Sequence, residues 1–212
     1  MSLSKTRHLD FKTSLMSNIM EFDSKEEMYF SWLLDELGEM GFLLDYETQQ
    51  PRINLFDGIV QTKYDYKKTK INQKDKSLIS GHYYTPDFII EWDKSAKGIL
   101  LDNLLEDTGA PFKYTEETMG GIGSIIEIKP NFDKHNMTRA FILNQKWTMQ
   151  KFNMYVQLIK PKTFFKAFMT PSKYLMTDKA TQKRKLAYEP VLLREWINNR
   201  IKELERRKGI NG

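Results

Sequence analysis

The 212-residue chain has no cysteine, only three histidines (His8, His82 and His135) and no apolar run longer than a strand. The missing thiols exclude thiol catalysis, zinc sites built on thiolates and disulfide scaffolds, and they fit a reducing compartment. The histidines form no His-x-x-His or Glu-x-x-His helix, which argues against a zinc hydrolase. No Gly-x-Ser-x-Gly elbow occurs, and Gly120-Gly121-Ile122-Gly123 precedes a strand rather than the helix that a phosphate-cradling loop needs. With no early hydrophobic segment after Met1-Ser2-Leu3-Ser4-Lys5-Thr6-Arg7, the expectation is a soluble, cytoplasmic protein with neither signal peptide nor membrane span.

What the chain does hold is charge and aromatic residues. It carries 33 basic against 28 acidic residues, a net charge of +5, with 40% hydrophobic and 13% aromatic content. That is the composition of one globular domain, long enough to bury a core without a structural metal. A pI near 9.1 points to a polyanion as partner. Its basic residues gather in two stretches. One is Lys160, Lys162, Lys166, Lys173, Lys179, Lys183, Arg184 and Lys185, opposed by Asp178 alone; the other is Lys63, Lys67, Lys68, Lys70, Lys74 and Lys76, opposed by Asp65 and Asp75. Both interleave aromatics (Tyr64, Tyr66, Phe164, Phe165, Phe168, Tyr174), as phosphate contact plus base stacking would require. A solvated lysine-rich surface accounts for the same residues.

No internal repeat or linker appears. Residues 1–22 read as an N-terminal extension, 23–160 as a core, and 161–212 as a basic C-terminal extension packed on it. Ser24 and Glu27 form a capping box ahead of a helix with Tyr29, Trp32, Leu33, Leu37 and Met40 at helical spacing, ending at Gly41. Leu43 to Tyr46 reads as a strand broken by Gln50-Pro51. Arg52 to Lys68 reads as one or two strands ending in a lysine-rich loop. His82 to Trp92 alternates as a single strand that sets Asp87 and Ile89 on one face and Phe88, Ile90 and Trp92 on the other. Lys97 to Gly121 reads as an insertion or long loop. Ile122 to Lys129 is a strand with Ile125, Glu127 and Lys129 on one face. A helix from Asp133 to about Lys151 and a buried strand from Met154 to Ile159 complete a βαβ crossover. Glu189 to Lys208 predicts a closing helix with Pro190 near its start and Leu193, Trp196, Ile197, Ile201 and Leu204 inward. The fold class is α/β, a mixed central sheet flanked by helices.

Within this frame Asp87, Glu127 and Lys129 interrupt apolar runs, where charge is costly without a partner. If their strands pair, the two carboxylates converge on one hard cation, with the Ile128 carbonyl as a further oxygen ligand. Lys129 is then placed to orient or deprotonate the attacking water and to offset charge on a phosphate. A turn at Pro86-Asp87 and ordinary cross-strand charge pairing at Glu127 and Lys129 are the plainer alternatives.

The ordered series Phe22-Asp23-Ser24-Lys25-Glu26-Glu27, Gln50-Pro51, Tyr84-Thr85-Pro86-Asp87-Phe88 and Glu127-Ile128-Lys129-Pro130 resembles the PD-(D/E)xK nuclease superfamily, with its restriction-endonuclease-like core. Within it, the chain is similar to TnsA-type transposon-end endonucleases and small phage-encoded endonucleases. The resemblance covers about Asp23 to Ile159. It implies a DNA endonuclease dependent on Mg2+, with Mn2+ able to substitute, in which Asp87, Glu127 and a first-helix glutamate hold metal and Lys129 is catalytic. By the Ser-x-x-Glu spacing that glutamate is Glu27, although a helical wheel sets Glu26 nearer the apolar face. Gln50 would line the same cleft. The 40 residues from Asp87 to Glu127 exceed the usual separation, which fits an insertion near 97–121. No Gln-x-x-Tyr follows Lys129, which argues against the end-degrading branch. Lys134, His135, Arg139, Lys146, Lys183, Arg184 and Lys185 are candidates for the DNA backbone, and with no base-reading module a homodimer or partner protein is expected. A branched-DNA resolving nuclease and a non-catalytic nucleic-acid-binding protein are the rival expectations.

Overall fold

The structure, a computed structural model, describes residues 22–49, 52–117, 121–131 and 137–210. Helix α1 (Lys25–Glu39) begins as its spacing predicts. The Ser24 hydroxyl accepts the Glu27 amide at 3.2 Å and donates to Glu27 Oε1 at 2.6 Å. Tyr29, Phe30, Leu33, Leu34 and Leu37 form its buried face. Gly41, at φ +80°, takes the left-handed turn that ends it. Strand β1 (Leu43–Thr48) follows.

The lysine-rich stretch expected as a loop is instead strand. Strands β2 (Ile53–Phe56), β3 (Ile59–Lys67), β4 (Lys70–Ile79) and β5 (His82–Tyr84) form a long ribbon: β3 pairs antiparallel with β4, and β2 with β5. The two ladders meet at Gly58 and Gly81. Gly58 sits at φ +85°, and a Cβ there would lie 2.8 Å from both the Gly81 amide nitrogen and the Ile79 carbonyl oxygen, so the junction requires glycine. Register slips on either side of it, between Asn54 and Phe56 and between Ile59 and Val60. Such slips bend a ribbon, here between its foot (β2, β5) and its arm (β3, β4).

Nor is His82 to Trp92 one strand. It divides into β5 and β6 (Phe88–Trp92), which belong to different sheets. The break is Thr85-Pro86-Asp87, where proline has no amide to give a ladder. Asp87, expected in mid-strand, therefore stands immediately before β6.

Residues 97–117 are packed rather than loose. Strands β7 (Leu101–Asp102) and β8 (Phe112–Lys113) pair in parallel, β9 (Glu116–Glu117) joins the central sheet, and Leu100, Leu101 and Phe112 are fully buried. Asp102 organises this segment by accepting the Thr108 amide and hydroxyl and the Ala110 amide. Burial opposes its charge, but these bonds outweigh burial and hold the carboxyl below its ordinary value.

Strand β10 (Ile122–Ile128), helix α2 (Met137–Phe152) and strand β11 (Val156–Ile159) form the expected crossover, with β10 and β11 parallel. Residues 132–136, part of the helix expected from Asp133, lie outside the described residues. The central sheet runs β1-β6-β10-β11 with β9 beside β10, giving a mixed α/β fold. On one face, Phe88, Ile90, Trp92, Ile122, Ile126 and Ile128 pack against α1, α3 (Pro161–Ala167) and α4 (Leu193–Ile210). On the other, Ile125 and Val156 meet Phe141 of α2 and Ile53, Leu55 and Tyr84 of the ribbon foot. The alternation read from β6 and β10 thus corresponds to two real cores.

Helix α4 starts at Leu193, so Pro190 precedes it rather than lying within its first turn. Its inward face includes Arg200, which the apolar pattern did not suggest. Arg200 Nη2 donates to the Thr108 carbonyl at 2.6 Å and hydroxyl at 2.9 Å, tying the helix to the 97–117 segment. Phe164, Phe165 and Tyr174 are buried core residues and present no surface on which bases could stack. Among the described residues no helix is long and apolar enough to cross a membrane.

Candidate active site

Strands β6 and β10 pair antiparallel with Phe88 opposite Ile126; carried one step further, this register sets Asp87 beside Glu127. Asp87 Oδ2 accepts the Ile128 amide at 2.6 Å. In an extended strand the amide and carbonyl of a residue project to the same side, so the Ile128 carbonyl also faces Asp87. Glu127 is 7% exposed. Its Oε1 accepts Lys129 Nζ at 2.5 Å and its Oε2 accepts the Tyr84 hydroxyl at 2.6 Å. Glu27, also buried, is close enough to feel the charge of Lys129, and its own charge acts on Asp87. The structure therefore brings Asp87, Glu127 and Lys129 together at the β5–β6 break and the end of β10, with Glu27 of α1 within electrostatic reach. Glu26 stands apart, half-buried, with Lys162 Nζ 4.0 Å from its Oε1. Gln50 lies outside the described residues.

The electrostatics are those of an acidic pocket short of positive charge. Burial, and then the charge of Glu127, pushes the Asp87 carboxyl up to about 7, against the pull of the Ile128 amide. Burial raises the Glu27 carboxyl, and the Ser24 hydroxyl opposes this in part. The Tyr84 hydroxyl is raised by burial and by Glu127, so it stays protonated and acts as a donor. Lys129 pairs directly with Glu127 alone, and its charge offsets those of Asp87 and Glu27 only in part. The donor set, all carboxylate and carbonyl oxygen, suits a hard divalent cation. Among the described residues, no three acidic or histidine side chains stand gathered for a metal as they are. Lys129 and Tyr84 hold the two Glu127 oxygens that a metal would contest.

Tyr84 is the site residue that the sequence analysis did not single out. Its only signal was its place in Tyr84-Thr85-Pro86-Asp87, since its partner is 43 residues away.

The nucleic-acid candidates divide. Arg139, Lys146, Lys183 and Lys185 are exposed, and Lys134 and His135 lie outside the described residues. Arg184 is taken up internally. Its guanidinium lies over the Tyr174 and Tyr29 rings at 4.3 and 4.8 Å, pairs with Asp178 at 2.7 Å and bonds the Tyr174 carbonyl. Asp178 in turn holds Lys25 and the Tyr29 hydroxyl, so Arg184 fastens the C-terminal segment to α1. Arg184→Ala is therefore expected to cost about 2 kcal/mol of stability in chemical denaturation, with DNA affinity little changed. A normal unfolding midpoint with weakened DNA binding would reverse that assignment.

No family model, no curated protein and no solved structure matches this chain.

Proposed function

We propose that the protein is a metal-dependent DNA endonuclease, with a restriction-endonuclease-like core of the PD-(D/E)xK kind, acting in phage or mobile-element DNA processing in the bacterial cytoplasm. The observation that carries this is the convergence of Asp87, Glu127 and Lys129 in a partly buried cluster, within electrostatic reach of Glu27, that has more negative charge than its one lysine offsets. Mg2+, or Mn2+ in its place, would be held by Asp87, Glu127, Glu27 and the Ile128 carbonyl. A bound divalent ion supplies Lewis-acid polarisation of the phosphate and of the attacking water.

The chain's own groups do the rest. Tyr84 fixes Glu127 through Oε2, and Oε1, which Lys129 holds, is the oxygen Glu127 would offer a cation once Lys129 lets go. Released from Glu127, Lys129 sets an ammonium beside the scissile phosphate, where it orients the water and offsets charge in the transition state. The Ile128 amide holds one Asp87 oxygen and leaves the other free. Cutting at defined places would use a homodimer or a partner protein.

The test is cleavage of supercoiled plasmid, linear duplex and a four-way junction in Mg2+, Mn2+ or EDTA, comparing the parent with Lys129→Ala. Metal-dependent cutting of duplex that is lost in the variant is expected. Preference for the junction would favour a resolving nuclease. Equal behaviour of parent and variant, with no cutting in any metal, would leave a binding protein.

A further inference from the structure

The β3–β4 arm takes no part in the site, yet it holds most of the chain's net charge. Between Ile59 and Ile79 stand six lysines and two aspartates, a net +4 in a chain whose total is +5. Almost every residue of both strands is exposed. At roughly 3.4 Å per residue the arm reaches about 27 Å from its base.

Its pairing sorts the side chains by face. Lys63 opposes Lys74, Lys67 opposes Lys70, and Gln61 opposes Lys76, while Asp65 opposes Asn72. In an antiparallel ladder opposed residues share a face, so five lysines and one aspartate line one side. The other side has Val60, Tyr64, Tyr66 and Ile71, with Thr62 Oγ1 bonded to Asp75 at 2.8 Å. Two lysine pairs set directly opposite one another disfavour the ribbon that carries them, and an isolated two-stranded ribbon is marginal to begin with. A polyanion would relieve that repulsion and turn the arrangement to advantage.

The foot directs the arm. Strand β5 ends at Tyr84, which bonds Glu127, and Asp87 follows three residues later. Helix α2 braces the foot: His82 meets Asn144 at 2.7 Å and the Trp147 ring edge-on, and Lys151 Nζ bonds the Asn54 carbonyl at 2.9 Å. The base of the arm is therefore joined through β5 to Tyr84 and the carboxylate it touches.

We infer, resting on the nuclease reading, that the lysine face of the β3–β4 arm is a DNA-backbone clamp that grips the phosphates of the duplex beside the bond to be cut. A two-stranded ribbon fits the major groove or lies along the backbone, and its lysines act through phosphate charge without selecting sequence.

The experiment uses the full chain with Lys63, Lys67, Lys70 and Lys74 all changed to Gln. These side chains are exposed and mutually repulsive, so the variant should fold at least as well as the parent, which thermal unfolding verifies. Duplex binding is measured by fluorescence anisotropy in EDTA across a salt series. The expected result is at least about tenfold weaker binding at 100 mM salt, with the slope of log K against log[salt] shallower by about 3. An unchanged slope, or a parent that does not bind duplex, overturns the clamp. Binding to vesicles of anionic phospholipid is measured in parallel, and a loss confined to them would also overturn the clamp and make the arm a membrane contact. Failure of the nuclease reading looks different, because the parent then binds duplex through the arm and leaves it uncut in Mg2+.

Discussion

Changing Asp87 to Asn should reduce metal-dependent cleavage by about three orders of magnitude or more and at the same time stabilise the metal-free protein at pH 8. Both effects come from the same oxygen atoms. Burial, and then the charges of Glu127 and Glu27, act against the Asp87 carboxylate, so its charge is costly without a cation. Asparagine keeps an oxygen for the Ile128 amide at nearly the same shape and removes that charge. A gain of 1–2 kcal/mol would lift the melting temperature by about 2–8 °C in a domain of this size. Duplex binding should hold or tighten, because one negative group fewer faces phosphate. Plasmid cleavage, differential scanning fluorimetry in EDTA and anisotropy give the three readouts. A variant that still cuts would remove Asp87 from the mechanism. One that neither cuts nor folds would point to a structural role, and Asp87→Ser would then be examined for the same paired result.

The second large effect is a fall in stability between about pH 4 and pH 7 in EDTA. A carboxyl whose pKa is raised by folding binds its proton more tightly in the native state. Its stabilising contribution is complete below the unfolded value near 4 and is lost as pH rises through the folded value of about 7. Each unit of elevation corresponds to about 1.4 kcal/mol, so the decline should amount to a few kcal/mol, with Glu27 adding in the same direction. Asp102 and Asp178 work oppositely. Their lowered carboxyls stabilise above the unfolded value, and that gain is lost as pH falls. The melting temperature in EDTA should therefore peak near pH 5 and drop toward pH 8, with the drop much reduced in Asp87→Asn. Mg2+ should restore the parent at pH 8 and do little at pH 5, where Asp87 is protonated. The groups around Asp87 are Glu27, Glu127, Lys129 and Tyr84, and a flat profile in the parent would mean that Asp87 ionises at an ordinary pH despite its burial and its acidic neighbours.

How far the sequence carried these conclusions varied with the range of the interactions involved. The cap at Ser24, the two-faced strands β6 and β10 and the crossover through α2 rest on contacts within a few residues or on burial against a core, and both leave a periodic trace. The pairing of Asp87 with Glu127 followed from alternation alone once the strands were taken as neighbours. The arm left no such trace, because neither of its faces is buried. Its alternation is of lysine against tyrosine and isoleucine, and Lys68-Thr69 closes it without the Asn-Gly or Asp-Gly pair that marks two-residue turns. Tyr84 and Arg200 acquire their roles only through partners far along the chain, and Asp102 through loop amides and a hydroxyl 6 to 8 residues on that leave no periodic trace. The aromatics at 164–174 read as a stacking platform because composition does not distinguish a core aromatic from an exposed one.

The glycine junction also divides the molecule mechanically. Beyond Gly58 and Gly81 the arm contributes nothing to either core, so its ladder should open at a lower free energy than the contacts among Tyr84, Glu127 and Asp87. Before Gly58 and after Gly81, the foot opens only when the sheet itself does. The protein thus has two opening free energies, a small one for the arm and the full unfolding free energy for the pocket. Opening of the arm should therefore appear as early amide exchange across residues 59–79, while the amides beside the carboxylates at its root stay protected with the core.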